Sequence, residues 1–209
     1  MRRHLFEAWL LFGLLVPAIL FAAEARKTGT VKGTITIGGR STADAVVSIE
    51  GLSKENFKSQ VSGERPTRAM IDQRDMKFIP RVLPVLIGTR VDFRNNDKTF
   101  HNVFSTSEAK TFDIGLRSPG ETRSVTFDKP GVVRLLCNVH PNMEAYIVVK
   151  DHPYFVATDM RGNYQLSAVP LGKYRLEVWH PEFGMRVVPF ELVRDGEVLG
   201  MDVDLKKQR

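Results

Sequence analysis

The chain has little cysteine and little helical periodicity, and both absences narrow what it can be. It has one cysteine, Cys137, in 209 residues, so no disulfide can form within the chain and a disulfide-stapled scaffold is excluded. Beyond residue 25 no long stretch shows the 3.6-residue period of an amphipathic helix, which argues against a helical fold. Lys and Arg are spread without a dense run, so no nucleic-acid binding is expected.

The N-terminal residues have the pattern of a secretory signal peptide. Met1–Arg3 begins a basic region, residues 8–23 are apolar apart from Pro17, and Ala23–Ala25 offers small residues at the cleavage position. An uncleaved membrane anchor is the weaker interpretation, because the apolar run is shorter than the ~20 residues that a spanning helix needs. A twin-arginine signal is a minor alternative. We expect residues 1–25 to be removed and the protein to be periplasmic.

The formal net charge is +6 at pH 7. Removal of residues 1–25 takes away equal numbers of positive and negative side chains, so the processed chain keeps this charge. A solvated basic surface is the simplest interpretation. The functional alternative is attraction to an acidic partner protein or to an anionic membrane surface.

Short stretches of two-residue alternation, separated by Gly, Pro, Asn and Asp, predict an all-β protein. Residues 31–37 and the run "AVVSIE" predict two neighbouring strands with a turn-rich connection. Residues 51–68 are polar and predict a linker or long loop. A second series of strands, from "AMIDQ" to "EAYIVVK", predicts one compact unit.

A third series of strands follows this unit. Tyr164 and Leu166 alternate with polar residues, Tyr174 and Leu176 repeat the pattern, and "AVPLGK" lies between them, which predicts a hairpin. The segments "MRVVPFELV" and "LGMDVDL" predict two more strands. This tail has the apolar faces of half a β-sandwich, but too few strands for a complete one.

The stretch "GVVRLLCNVHPNM" carries the strongest chemical signal. Cys137 shares a strand face with Val133 and Leu135, and the following turn delivers His140 and Met143. A fourth candidate ligand is the histidine in "NNDKTFHNVFS", His101, which precedes an apolar strand.

The types of these four side chains indicate the metal. Two imidazoles and a thiolate with a weak thioether form the ligand set of a blue copper site, whereas zinc prefers four strong ligands and rarely uses Met. Taken singly, a cysteine at a strand end or a methionine is usually core filler, and a histidine is usually a turn or surface residue. The ordered set of His, Cys, His and Met in a chain with one cysteine favours copper.

The segments "HNVFS" and "CNVHPNM" resemble those of the cupredoxins, and the short Cys-x-x-His-x-x-Met loop resembles that of amicyanin and its methylamine-utilisation relatives. The resemblance covers roughly residues 67–150. It implies a Greek-key β-sandwich with one type 1 copper ion at one end. His101, Cys137 and His140 would be the equatorial ligands, and Met143 the axial ligand.

The same resemblance implies roles for residues around the ligands. Asn102 would fix the ligand loops by hydrogen bonds, and Pro141 keeps the family's proline after His140, where it cannot donate an N–H. Val139 departs from the amicyanins, which have proline there, and its N–H could approach the thiolate and raise the reduction potential. The exposed edge of His140 would be the electron port.

The stretch "TDMRGNYQLSAVPLGKYRLEV" resembles the carboxypeptidase regulatory-like modules, which are prealbumin-like β-sandwiches. The matching residues are Thr158, Asp159, Gly162, Tyr164, Leu166, Pro170, Gly172, Tyr174 and Leu176. The first strands of such a module would lie before the cupredoxin segment. We therefore expect a discontinuous sandwich of residues 26–60 and 151–209, with a cupredoxin domain of residues 61–150 inserted. The alternative places the N-terminal strands in the cupredoxin sheet.

The predicted function is one-electron transfer between periplasmic redox proteins, such as a c-type cytochrome or a dehydrogenase, with an acidic partner favoured by the net charge. The alternative is a copper-binding carrier or sensor in which the flanking sandwich binds a partner. No enzymatic activity is expected, because a nucleophilic pair of Cys137 and His140 lacks a third, orienting group. A second metal site at His152 and His180 is the weaker alternative to structural roles for these histidines.

Overall fold

The computed structural model describes residues 27–52 and 68–206. Every regular secondary-structure element in these ranges is a β-strand. The predicted signal peptide and nearly all of the predicted linker lie outside these residues. Within the described ranges, no helix is long and apolar enough to cross a membrane. The prediction of an all-β protein is confirmed.

The strands, in chain order, are β1 (Thr28–Ile37), β2 (Arg40–Ser41), β3 (Val46–Glu50), β4 (Arg68–Arg74), β5 (Lys77–Ile79), β6 (Val82–Leu86), β7 (Thr89–Asn95), β8 (Phe104–Ser107), β9 (Lys110–Asp113), β10 (Thr122–Phe127), β11 (Gly131–Leu136), β12 (Glu144–Lys150), β13 (Phe155–Ala157), β14 (Asn163–Pro170), β15 (Gly172–His180), β16 (Gly184–Leu192), β17 (Val198–Gly200) and β18 (Val203–Leu205).

Residues 68–150, here called the central unit, form two sheets around one core. The strand order is β10-β7-β4-β5 in one sheet and β6-β12-β11-β8-β9 in the other. Alternate side chains point inward, so that Phe93 of β7 and Leu135 of β11 are buried in the same core. The strands expected between "AMIDQ" and "EAYIVVK" are present. The structure adds β5 and β9, which are too short to show a readable alternation.

Residues 27–52 and 151–206, here called the terminal unit, form two further sheets. One contains β14-β1-β17 with β2 and β18 also paired to β1, and the other has the order β13-β3-β15-β16. Val31 and Ile49, from before the central unit, share a core with Leu176 and Val203, from after it. The strands on the two sides of the central unit therefore depend on one another for burial.

Two strand pairings predicted from the sequence were wrong. The strands β1 and β3 are not neighbours but lie in different sheets, because the chain returns as β2 beside β1 and then turns at Asp44, whose φ is 63°. Likewise β14 pairs with β1, whereas β15 pairs with β3 and β16. The apolar faces of β14 and β15 meet across the core, which a hairpin within one sheet would not allow.

The strand β12 is buried on both faces because the terminal unit covers the outer face of its sheet. Ala145 and Ile147 point into the core of the central unit. On the opposite face, Val148 packs with Val46 of the terminal unit. This explains why "EAYIVVK" is an almost continuous apolar run rather than a clean alternation.

Ion pairs border this contact between the units. Arg81 of the central unit lies 3.4 Å from Asp44 and 3.2 Å from Glu182 of the terminal unit. Lys150 pairs with the buried Glu177. Burial is the main cause that raises the pKa of Glu177, and a hydrogen bond with Glu50 acts in the same direction.

Candidate metal centre

The segment from Cys137 to Met143 connects β11 to β12 at one end of the central unit. Cys137 carries a free thiol and is buried. Its side chain points into the same core as those of Val133 and Leu135, which precede it on the inner face of β11. The backbone N–H of Met143 donates to the carbonyl of His140 at 3.0 Å, which closes the turn. The sequence thus places a thiol at the end of β11, and one short loop then leads the chain back into the sheet as β12.

His101 lies on a neighbouring loop and is fully buried. Its backbone pairs with Arg117 through two hydrogen bonds, of 3.1 Å from the N–H of His101 and 2.7 Å to its carbonyl. The buried Asn95 supports the same loop, because its side-chain amide donates to the carbonyls of Thr99 and Arg117. The position of His101 is therefore fixed by backbone contacts on both sides.

Three potential ligand atoms converge at this end of the central unit. The sulfur of Cys137 and one ring nitrogen each of His101 and His140 all lie within 4.8 Å of one another. Among the described residues, no other three His, Cys, Asp or Glu side chains come together in this way. The two Nδ1 atoms are 3.0 Å apart. A thiol and two imidazoles, directed at one point, are chemically suited to a soft or borderline transition metal.

Asp97 is the partner of the other nitrogen of His101. Its Oδ2 lies 3.0 Å from Nε2 of His101 and also accepts the backbone N–H of Met76 at 2.8 Å. The N–H of Met76 is the largest cause that lowers the pKa of Asp97 to about 2, and the bonds from His101 and the N–H of Lys98 add to it. An ionised carboxylate only accepts hydrogen bonds, so Nε2 carries a proton, and in the neutral ring Nδ1 presents its lone pair to the site.

Met143 and Pro141, the other residues expected here, differ in exposure. Met143 is buried in the same core as Cys137, whereas Pro141 is exposed beside the half-buried His140. Met143 thus lies within the core, and Pro141 lies at the surface.

Asn102 makes a side-chain hydrogen bond to β9. Its side-chain amide donates to Asp113, at the end of β9, at 2.6 Å. Its Oδ1 is buried and has no hydrogen-bond partner among the described residues. The amide therefore ties the residue after His101 to β9.

The two other histidines among the described residues, His152 and His180, lie in the terminal unit and accept local hydrogen bonds. Nδ1 of His152 accepts the N–H of Tyr154, and Nδ1 of His180 accepts the N–H of Glu182, both at 3.2 Å. Burial is the main cause that lowers the pKa of His180. Neither histidine belongs to the metal-ligating group found in the described part of the chain.

Three exposed apolar side chains, here called the apolar rim, precede His140 and two residues that are bonded to each other near it. Val139 precedes it, Phe100 precedes His101, and Leu116 precedes Arg117, and all three apolar side chains are exposed. His140 itself is partly exposed. Exposed apolar side chains near it are of the kind found at protein contact surfaces.

Asp97 and Asn95 were missed in the sequence. Both belong to "NNDKTFH", a polar turn in which Asn and Asp are ordinary turn residues. The available signal was the carboxylate four residues before a candidate ligand histidine, since such histidines commonly donate their second N–H to a carboxylate.

Known copper proteins resemble this chain over the central unit and the residue before it. Residues 67–150 match the copper binding proteins of the plastocyanin/azurin family. A plastocyanin from Ginkgo biloba is 32% identical over 77 residues, which cover 32% of this chain and 78% of that protein. A purple cupredoxin from Nitrosopumilus maritimus has 23% identity and a TM-score of 0.36, covering 39% of this chain and 99% of its own. Amicyanin from Paracoccus versutus has 18% identity and a TM-score of 0.38, covering 43% and 87% respectively.

Proposed function

The chain belongs to the plastocyanin/azurin family of copper binding proteins, and on that premise we propose that it is a one-electron carrier with one type 1 copper site. His101, Cys137 and His140 would hold the ion, with Met143 as the weak axial ligand. The observation that carries the proposal is the convergence of a thiol and two imidazole nitrogens within 4.8 Å.

The donor set fits copper better than zinc. A closed zinc site takes four strong ligands, whereas this centre offers three strong donors and, in Met143, a buried thioether. When bound, copper would supply a one-electron change between Cu(I) and Cu(II), for which a His₂Cys set with an axial Met is well suited.

The protein's own contribution is to hold the donor atoms in place. His101 is fixed by Arg117 and Asp97, and the turn of His140 is closed by the N–H of Met143. Side chains held in this way change position little when the charge of the centre changes, which keeps the reorganisation energy low. Exclusion of water by the buried Cys137 and His101 acts in the same direction.

His140 is the proposed electron port, because it is the one half-buried member of a group whose other two members are buried. The apolar rim of Val139, Phe100 and Leu116 would contact a redox partner such as a c-type cytochrome or a dehydrogenase. The net charge of +6 favours an acidic partner. The proposed compartment is the periplasm, on the basis of the N-terminal sequence pattern.

We further propose that the terminal unit is a carboxypeptidase regulatory-like sandwich of residues 26–60 and 151–209, into which a cupredoxin domain of residues 61–150 is inserted. The support is the shared core of Val31 and Ile49 with Leu176 and Val203. Limited proteolysis tests this organisation: a stable fragment of residues 61–150 supports it, and loss of that fragment's fold contradicts it.

The decisive experiment is the visible spectrum of the purified protein with Cu(II), beside Cys137→Ser and the control Met160→Ala. Met160 is an exposed methionine of the terminal unit. We expect an intense thiolate-to-copper band in the wild type and the control, and its loss in Cys137→Ser. A colourless protein that retains Cu(I) would favour a copper carrier or sensor instead, and absence of copper binding would contradict both functions.

A further inference from the structure

Asp97 is not a candidate ligand, but its carboxylate bonds to the candidate ligand His101. Its side chain is 14% exposed and that of His101 is 0% exposed, and 3.0 Å separates Oδ2 of Asp97 from Nε2 of His101. Among the described residues, no other carboxylate forms a hydrogen bond with the side chain of His101 or His140. A carboxylate this close and this shielded from water interacts with the centre more strongly than a surface charge would.

The carboxylate is held in place by two separate parts of the central unit. Its Oδ2 accepts the N–H of Met76, in the turn between β4 and β5, at 2.8 Å, and its Oδ1 accepts the N–H of Lys98 at 2.7 Å. The N–H of Asp97 itself donates to Oδ1 of the buried Asn95 at 3.0 Å. With backbone and side chain both bonded, Asp97 presents a fixed acceptor to His101.

The fixed acceptor determines which nitrogen of His101 carries the proton. Because the carboxylate only accepts, Nε2 of His101 must donate, and in the neutral ring its Nδ1 is then left as a lone pair. That Nδ1 atom is the one that lies 3.0 Å from Nδ1 of His140. The orientation of His101 toward the ligand group is thus set by a residue that is not itself in that group.

We infer that Asp97 is a positioning residue of the metal centre, which holds His101 in the Nε2–H form and lowers the reduction potential through its negative charge. The second role rests on the proposed function. A negative charge that is largely shielded from water favours the more positive state of a bound ion, so it stabilises Cu(II) relative to Cu(I). Asp97 would thereby oppose any increase in potential caused by the N–H of Val139.

The two roles are separated by two variants and a control. Asp97→Asn keeps a side-chain carbonyl acceptor but removes the charge, whereas Asp97→Ala removes both. The control is Asp92→Asn, whose carboxylate is similarly shielded, at 18% exposed, but lies on the outward face of β7 and bonds to Arg68 and Ser124. Amide NMR dispersion of each full-length variant establishes that it is folded.

The first measurement is the ring ¹⁵N shifts of His101 in the metal-free protein, which report the tautomer without any need for copper. We expect the Nε2–H form in the wild type, in Asp97→Asn and in Asp92→Asn, and a mixture of both tautomers in Asp97→Ala. An unchanged tautomer in Asp97→Ala would overturn the positioning role. This measurement stands even if the protein binds no copper and the proposed function fails.

The second measurement is the reduction potential of the copper-loaded proteins. For Asp97→Asn we expect at least a tenfold shift of the redox equilibrium toward Cu(I), which raises the potential of this one-electron couple by about 59 mV. Asp92→Asn should stay close to the wild type. Equal potentials in the wild type and Asp97→Asn would overturn the charge role while leaving electron transfer itself intact.

Discussion

Tyr146 of the central unit meets Trp179 of the terminal unit edge to face, with ring centroids 5.4 Å apart and an interplanar angle of 62°. The two rings flank the cluster of Val46, Val82 and Val148 that joins the units. Such aromatic pairs add stability beyond the area they bury. The contact makes the covered face of β12 part of a continuous packed layer between the units.

Replacement of this tryptophan should weaken the contact between the units. We expect Trp179→Ala to lower the free energy of unfolding by about 2–3 kcal/mol, which is less than the ~3–5 kcal/mol typical of a buried aromatic because Trp179 is only half-buried. Urea denaturation followed by circular dichroism measures the change. Met160→Ala, at an exposed position, should alter stability by less than ~0.5 kcal/mol. A wild-type midpoint for Trp179→Ala would show that the contact contributes nothing.

Gln73 is a buried polar residue whose removal should stabilise the protein. It is fully buried on the inner face of β4, and neither Nε2 nor Oε1 of its side chain has a hydrogen-bond partner among the described residues. An unsatisfied buried polar group costs about 1–3 kcal/mol, so we expect Gln73→Leu to raise the free energy of unfolding by about that amount. The matched control is Gln165→Leu, at an exposed position on β14. Destabilisation by Gln73→Leu would reveal that the amide has a partner in the folded protein.

Gly162 lies where only glycine fits. Its φ is +76°, and a Cβ atom there would lie 2.4 Å from the carbonyl oxygen of Ile35. That contact involves backbone atoms on both sides, because the N–H of Ile35 donates to the carbonyl of Gly162. The glycine therefore allows the turn before β14 to approach β1.

The comparison with Gly184 isolates the effect of this close approach. Gly184 has a similar φ of +70°, but a Cβ there would meet nothing within 4 Å. Gly184→Ala should cost only the ~1–2 kcal/mol of a left-handed backbone, and Gly162→Ala should cost clearly more. Thermal and urea unfolding of the two variants measure the difference. Equal losses would mean that the neighbouring strand moves away at little cost.

The strands were more predictable than their partners. Alternation located β7, β11 and β15, because the pleat of a strand depends only on nearby residues. It could not show that β1 pairs with β14 and not with β3, because pairing joins residues far apart in the chain. Two strands paired in a hairpin and two strands in opposite sheets show the same local alternation. They differ only in whether their apolar faces meet across the core.

Prediction of the metal centre had the same limit, because residue types could be read locally but long-range contacts could not. His101, Cys137 and His140 were predicted from residue type and spacing, and the structure brings them together. Asp97 was missed because an aspartate in a polar turn has many ordinary roles, and nothing local shows that it bonds to a histidine. The bond of Asn102 to Asp113 was missed as well, since it depends on where β9 lies.

The dependence of stability on pH gives a further prediction, which concerns the metal-free protein. Hydrogen bonds from Met76, His101 and Lys98 lower the pKa of Asp97 from 3.8 to about 2 in the folded state. The unfolded carboxylate therefore binds a proton more readily than the folded one. By linkage, the stability that Asp97 contributes is fully present above pH 3.8 and is lost as the pH falls through about 2.

Asp97→Asn should remove this part of the acid sensitivity. We expect the variant to be less stable than the wild type at neutral pH, because it loses charge-assisted hydrogen bonds, and the gap between them to narrow as the pH falls from 3.8 towards 2. Urea unfolding at a series of pH values measures the gap. Asp75→Asn, at an exposed position in the turn that follows β4, controls for the removal of a nearby carboxylate. A gap that stays constant across this range would show that the bonds from Met76, His101 and Lys98 do not favour the ionised form of Asp97.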